Sequence, residues 1–194
     1  MNTLRQKLLS LALIGSTAAC SGSYAFEVVS TGPALDSKGS ALVTIPSDGR
    51  FGQQTYAGSG ATTAKAVEAA LAPRLARVEV TDAPISAPEA LTRARARGAR
   101  YLVVPEIVNW EDRATEWSGK PDHVAVDLTV RDVASDTVLH RVVIKGASSW
   151  WTFGGDHPAE LLPRPINEYV RQIFEEPPKV SPRAESRKST SADT

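Results

Sequence analysis

Gly98-Ala99-Arg100-Tyr101-Leu102-Val103-Val104-Pro105-Glu106-Ile107-Val108 is the stretch that decides the fold. From Tyr101 to Val108 it is nearly all apolar, the pattern of a strand buried on both faces. Pro105 has no N–H to give a ladder, so it marks a bulge or an edge. Working back from Gly98, the run Ser86-Ala87-Pro88-Glu89 has the spacing of a capping box and opens a helix that Gly98 stops. Arg93, Arg95 and Arg97 lie toward its C-terminal end, where the helix dipole favours cations; a solvated helix end explains them without a phosphate.

Further upstream, Arg77–Thr81 alternates as a strand. Before it, Thr62 is placed to cap a helix whose apolar face is Ala64, Val67, Leu71 and Leu75, with Pro73 ending or kinking it. A glycine-rich loop, Ser47–Gly60, joins this helix to a short apolar strand at Ala41–Pro46. Downstream of Val108, Val124, Val126, Leu128 and Val130 alternate with Ala125, Asp127, Thr129 and Arg131, a strand with one wet face. A turn at Ala134–Thr137 leads to a partner strand, Val138–Gly146. A last helix, Pro163–Phe174, buries Ile166, Val170 and Ile173. The order strand, helix, strand, helix, strand, hairpin, helix predicts an α/β domain with a mixed sheet of about five strands. Its first five elements form right-handed parallel crossovers and its hairpin extends the sheet antiparallel.

The ends of the chain read differently. Arg5 and Lys7 precede an apolar run, Leu8–Ala19, that is too short to span a bilayer, which takes ~20 residues. Charged start, apolar run and the small residues Thr17-Ala18-Ala19 form a secretory signal, and Cys20 follows at once. The simpler account is a secreted protein whose Cys20 happens to sit at the cut. Residues 20–39 read as a tether rich in Ser, Gly and Pro, residues 40–174 as one domain, and residues 175–194 as a disordered tail.

Composition narrows the function. The 194 residues are 42% hydrophobic and 23% charged, enough apolar matter for a core. Lys+Arg and Asp+Glu are both 22, so the basic surplus of a nucleic-acid binder is absent. One Cys excludes a disulfide framework within the chain and a Cys-based zinc site. No cofactor or metal is expected.

Residues 17–20 resemble a bacterial lipobox, in which Cys20 carries the acyl chains; Thr17 departs from the Leu usual there. Ser21, where an Asp would signal inner-membrane retention, implies the outer membrane by the same resemblance. Ala41–Pro46, Gly98–Val104 and the hairpin from Arg131-Asp132-Val133 to Val138-Leu139 resemble the anticodon-binding-like fold of outer-membrane lipoproteins such as CsgG, PelC and the N-terminal domain of TolB. Asp48-Gly49-Arg50-Phe51-Gly52, Trp110–Gly119 and Thr152–Pro158 are similar to hallmarks of a proteobacterial lipoprotein family with no activity attached. The resemblance implies a periplasm-facing lipoprotein, a membrane partner through the lipid, and a homo-oligomer or an envelope protein as further partner.

The candidate chemistry gathers in two places. All four Trp lie in two stretches, Trp110 and Trp117, then Trp150 and Trp151, among Glu111, Asp112, Arg113, Glu116, Asp156 and His157. The stretches flank the hairpin, so antiparallel pairing brings them together. One reading is a recognition face in which the rings stack on sugars or partner side chains while carboxylates and Arg113 fix hydroxyls; a glycan is then the ligand. The plainer reading is that the rings cover the open end of the sheet. A third, weaker reading pairs Glu111 with Glu116, or Asp112 with Asp156, for glycoside hydrolysis, which needs a separation of ~5–9.5 Å. Asp156-His157 reads better as a helix cap than as a metal or triad member: His123 and His140 do not give a zinc spacing and no Gly-x-Ser-x-Gly elbow occurs. The Ser47–Gly60 loop lacks a P-loop ending and reads as tight surface turns.

Overall fold

The computed structural model describes residues 23–112, 121–148 and 157–175. Eight strands are described: β1 (Ser23–Ser30), β2 (Ser40–Val43), β3 (Arg50–Phe51), β4 (Gln54–Thr55), β5 (Arg77–Val80), β6 (Tyr101–Glu111), β7 (His123–Asp132) and β8 (Thr137–Ala147). The helices are α1 (Ser59–Leu71), α2 (Ala87–Ala96) and α3 (Pro163–Phe174), with a single 3-10 turn at Pro158–Leu161. Six strands form one mixed sheet in the order β1-β8-β7-β6-β2-β5, and β3 and β4 make a separate small hairpin. Strand β2 runs parallel to β5 and β6, and the rest of the sheet is antiparallel.

Successive residues of a strand point to opposite faces, so neighbours on β2 report two cores. Ala41 and Val43 join Val67, Leu71, Val126, Ile144, Ile166 and Val170 under α1 and α3. Leu42 joins Leu102, Ala90 and Ala94 under α2. One face is therefore covered across the sheet, while the other is covered only beside α2. The double coverage of β2 and of the start of β6 is why both read as continuous apolar runs. Pro105 is tolerated because β2 pairs with β6 only as far as Val103. Two residues on, the proline nitrogen points toward the side that β2 has already left. The bulge in this strand falls later, at the register shift between Ile107 and Asn109.

Four expectations need correction. The tether assigned to residues 20–39 contains β1, which makes the sheet six-stranded. Tyr24, Phe26 and Val28 alternate with Ala25 and Glu27, and β1 pairs antiparallel with β8 from Ser23↔Ala147. Phe26 turns its ring to Tyr169 of α3, 5.8 Å between centroids. Residues after β1 are also tied down: the Leu35 N–H donates to Ile173 O at 2.9 Å, and Leu35 is buried. Secondly, α1 begins at Ser59 with Gly58 at its N-cap, so Thr62 lies inside the helix. Thirdly, Ser86 holds the N-cap position of α2 with no side-chain cap bond; Glu89 turns instead to Arg93 one turn on, at 2.8 Å. Finally, the first strand ends at Val43, short of Pro46. Helix α2 ends at Ala96, with Arg97 at its C-cap and Gly98 following in the left-handed region at φ 63°, and α3 spans its expected residues with Ile166, Val170 and Ile173 buried.

Candidate functional site

The chemistry-bearing residues collect at the end of the sheet where β6 finishes and β7 begins. Asp48 organises this end. Its carboxylate accepts N–H groups from Gly58 (Oδ2, 3.1 Å) and Gly60 (Oδ1, 2.8 Å) at the start of α1. The Ser59 hydroxyl donates to Tyr56 O at 2.7 Å and accepts from the Gly49 N–H at 2.8 Å. The exposed N–H groups of a helix start attract anions. Here the chain's own carboxylate holds that position, so the glycine-rich loop is structural, as its sequence suggested. Two glycines are required by close approach. A Cβ on Gly60 would lie 2.2 Å from Pro46 O, and one on Gly49 would lie 2.6 Å from Trp110 Cβ.

Beyond this hub Asp112 and His157 approach each other. The Tyr56 hydroxyl donates to Asp112 O at 3.1 Å. Burial raises the Tyr56 pKa, and the nearby Asp112 charge adds to the rise. The Asp112 carboxylate lies 3.6 Å from His157 Nδ1. On the opposite face, Glu111 of β6 stands across from His123 of β7, 3.6 Å from Oε2 to Nδ1, and Asn109 donates to Glu111 Oε1 at 3.2 Å. Asp122 is buried, with its N–H donating to Ser148 Oγ at 2.8 Å and its carbonyl accepting the Ser148 N–H at 3.0 Å. Residues 112 and 157 are thus neighbours, as are residues 122 and 148.

Of the expected site residues, Asp112 and His157 approach each other there, while Glu111 lies on the opposite face beside His123. Trp110 is a correction to the recognition face: only 4% of it is exposed, and it packs in the core against Gly49. Its position on β6 opposite Val124 turns the ring toward the helix layer. Cys20, Arg113, Glu116, Trp117, Trp150, Trp151 and Asp156 lie outside the described residues. Among the described residues no three His, Cys, Asp or Glu side chains are grouped to hold a metal ion.

Sequence reasoning missed two adjoining clefts on the face that α2 half covers. One, about 340 Å³, lies past the C-terminal ends of β2 and β5, between Thr44, Pro46, Ile85, Ala87 and Ile107. The other, about 520 Å³, runs between α2 and β8 over Leu91, Leu102, Val104 and Val138, with Arg131 and Arg141 at its side. Both share Ala87, Val104 and Glu106. The strand order marks the first: β2 connects to β5 on one side while β6 lies on the other, and α/β sheets open a crevice where the order reverses.

The model of the family described as "Domain of unknown function (DUF4823)" matches residues 34–173. The chain belongs to the DUF4823 family. No curated protein matches it. Among solved structures, this DUF4823 chain is similar to the PelC dodecamer from Paraburkholderia phytofirmans. The TM-score is 0.61 at 16% identity over 80% of this chain and 99% of that one. A methionine-substituted variant of the same dodecamer, in another crystal form, gives a TM-score of 0.59 at 16% identity, over 78% and 98% of the two chains. This chain therefore shares its overall fold with PelC at a distance.

Proposed function

We propose that this chain is a non-enzymatic lipoprotein, anchored at Cys20 in the outer membrane and facing the periplasm, that works as an assembly module with further copies of itself or an envelope protein. The fold shared with the PelC dodecamer carries this reading. The geometry of β1 fits it. Cys20 precedes Ser23 by three residues, a reach of roughly 10 Å at most. Ser23 pairs with Ala147, Ala147 with His123, and His123 with Glu111, so an anchor at Cys20 holds this end of the sheet nearest the lipid. Light scattering on the full chain in detergent tests the assembly; a strict monomer at high concentration removes it. Mass spectrometry of the native N-terminus tests the anchor separately.

A second reading is glycan binding by Trp117, Trp150 and Trp151 with Arg113, Glu116, Asp112, Asp156 and His157. The observation favouring it is the Asp112–His157 approach. Titration of Trp fluorescence with peptidoglycan or exopolysaccharide fragments distinguishes it, and an unchanged spectrum ends it.

A further inference from the structure

Helix α3 presents Arg164, Asn167, Glu168 and Arg171 as one stripe, at the i, i+3, i+4, i+7 spacing of a helix face. With Tyr24 of β1 and Arg74 of the turn after α1, they line a shallow dish of about 460 Å³. The three guanidinium groups are not equivalent. Arg171 is taken: it donates to Glu168 Oε1 at 2.7 Å and also pairs with Glu175. Glu168 is taken as well, since Gln172 donates to the same oxygen at 3.1 Å. Arg164 lies over the Tyr24 ring, 5.5 Å from its centroid, and no ion pair holds it among the described residues. Arg74 is the anomaly. Its Nε is buried and has no hydrogen-bond partner among the described residues.

A buried donor left without an acceptor is costly, and such a group calls for a missing water or ion. An N–H on a guanidinium selects an oxyanion, because the planar fork matches carboxylate and phosphate geometry. We infer that Arg74 and Arg164 hold a phosphate group in this dish, with Asn167 and Arg171 at its rim. The dish is wide and polar, which suits a phosphate on a larger carrier. Tyr24 is the second residue of β1, four residues after Cys20, so the nearest carrier is the headgroup of an anionic membrane lipid. That choice of source rests on the anchor proposed above; the oxyanion site does not.

The test uses the full chain purified in a neutral detergent. Thermal midpoints are followed against inorganic phosphate, with chloride at matched ionic strength, and against micelles doped with phosphatidylglycerol or phosphatidylcholine. A saturable rise with phosphatidylglycerol is expected, weakened at least tenfold in half-saturation by Arg74→Gln and by Arg164→Gln. Arg164 is exposed, so its variant folds even where the Arg74 variant does not. A saturable rise with inorganic phosphate alone, lost in the same variants, keeps the site and assigns it to the free ion. The proposal is overturned if neither phosphate source acts beyond its control, if Arg164→Gln keeps the full response, or if Arg50→Gln on the distant β3 strand loses as much.

Discussion

The sheet has two halves that solve different problems. In β5-β2-β6 the strands run parallel and helices cover both faces of β2 and of the start of β6; in β7-β8-β1 they run antiparallel and one face stays open. Where both faces are covered, every position must be apolar, and Ala41-Leu42-Val43 and Tyr101–Val104 comply. Where one face is open, polar residues alternate and find partners across strands. Arg141 of β8 reaches Asp127 of β7 with Nε at 3.0 Å and Nη2 at 2.7 Å, and Lys145 of β8 meets Glu27 of β1 at 2.8 Å. The first half is packed on both faces of β2, and the second leaves one face open.

The sharpest way to break this contrast is to truncate one residue in each half. Leu102 is buried between the sheet and α2, and Leu102→Ala removes ~2–5 kcal/mol of unfolding free energy. Val143 faces the open side of β8, and Val143→Ala costs about 1 kcal/mol or less. Urea unfolding of both variants gives the comparison, and equal costs would show that α2 adds nothing to the parallel half.

Next in size is the cap that Asp48 supplies to α1. Asp48→Ala removes the acceptor for two backbone N–H groups and lowers stability by ~1 kcal/mol, within the 0.5–2 range of lost caps. Asp48→Asn keeps one oxygen and recovers most of it. Hydrogen exchange checks the mechanism: the first turn of α1 should open in the Ala variant while β7 and β8 stay protected.

These two cases show what was legible. Apolar runs and alternation placed β2, β5, β6, β7, β8 and all three long helices, because burial writes itself into residue type over four or more positions. The Asp48 cap was not legible, since the carboxylate comes from a loop ten residues upstream and not from the local Ser or Thr that capping rules inspect. Strand β1 was hidden by its own position at the sheet edge. Val28 and Val29 are 54% and 55% exposed, and Ser and Gly flank a strand whose alternation is only five residues long. The site was partly legible: the approach of Asp112 to His157 followed from antiparallel pairing, but the inward turn of Trp110 depended on the bulge at Val108, which shifts the face of every residue after it.

A pH effect separates the halves more gently. His140 is 2% exposed; its Nδ1 accepts the Gly32 N–H at 3.4 Å, so Nε2 carries the proton donated to Pro33 O at 2.9 Å. Burial pushes its pKa below the ordinary 6.5, the Pro33 carbonyl partly opposing this. The unfolded chain therefore binds a proton first as pH falls. The stabilisation is complete above about 6.5 and is lost as pH falls toward the lowered folded value. Urea titrations from pH 7.5 to 5 should show that decline, and His140→Gln should flatten it. A decline that persists unchanged in the variant shows that His140 is not its source.

The smallest effect lies within the open face, where two ion pairs start from β8, one reaching β1 and the other β7. Both partners of Glu27–Lys145 are more than half exposed, at 63% and 57% of the side chain. Water screens such a pair, and Lys145→Ala changes stability by ~0.5 kcal/mol or less. Asp127, by contrast, keeps only 10% of its side chain exposed, and Arg141 holds it through two nitrogens. Double-mutant cycles on the two pairs should give the larger coupling for Asp127–Arg141, with the weaker salt dependence. If the couplings match, burial does not distinguish the two pairs. The sheet is then equally wet from β7 to β1, and its edge strand is the only feature that sets the open half apart.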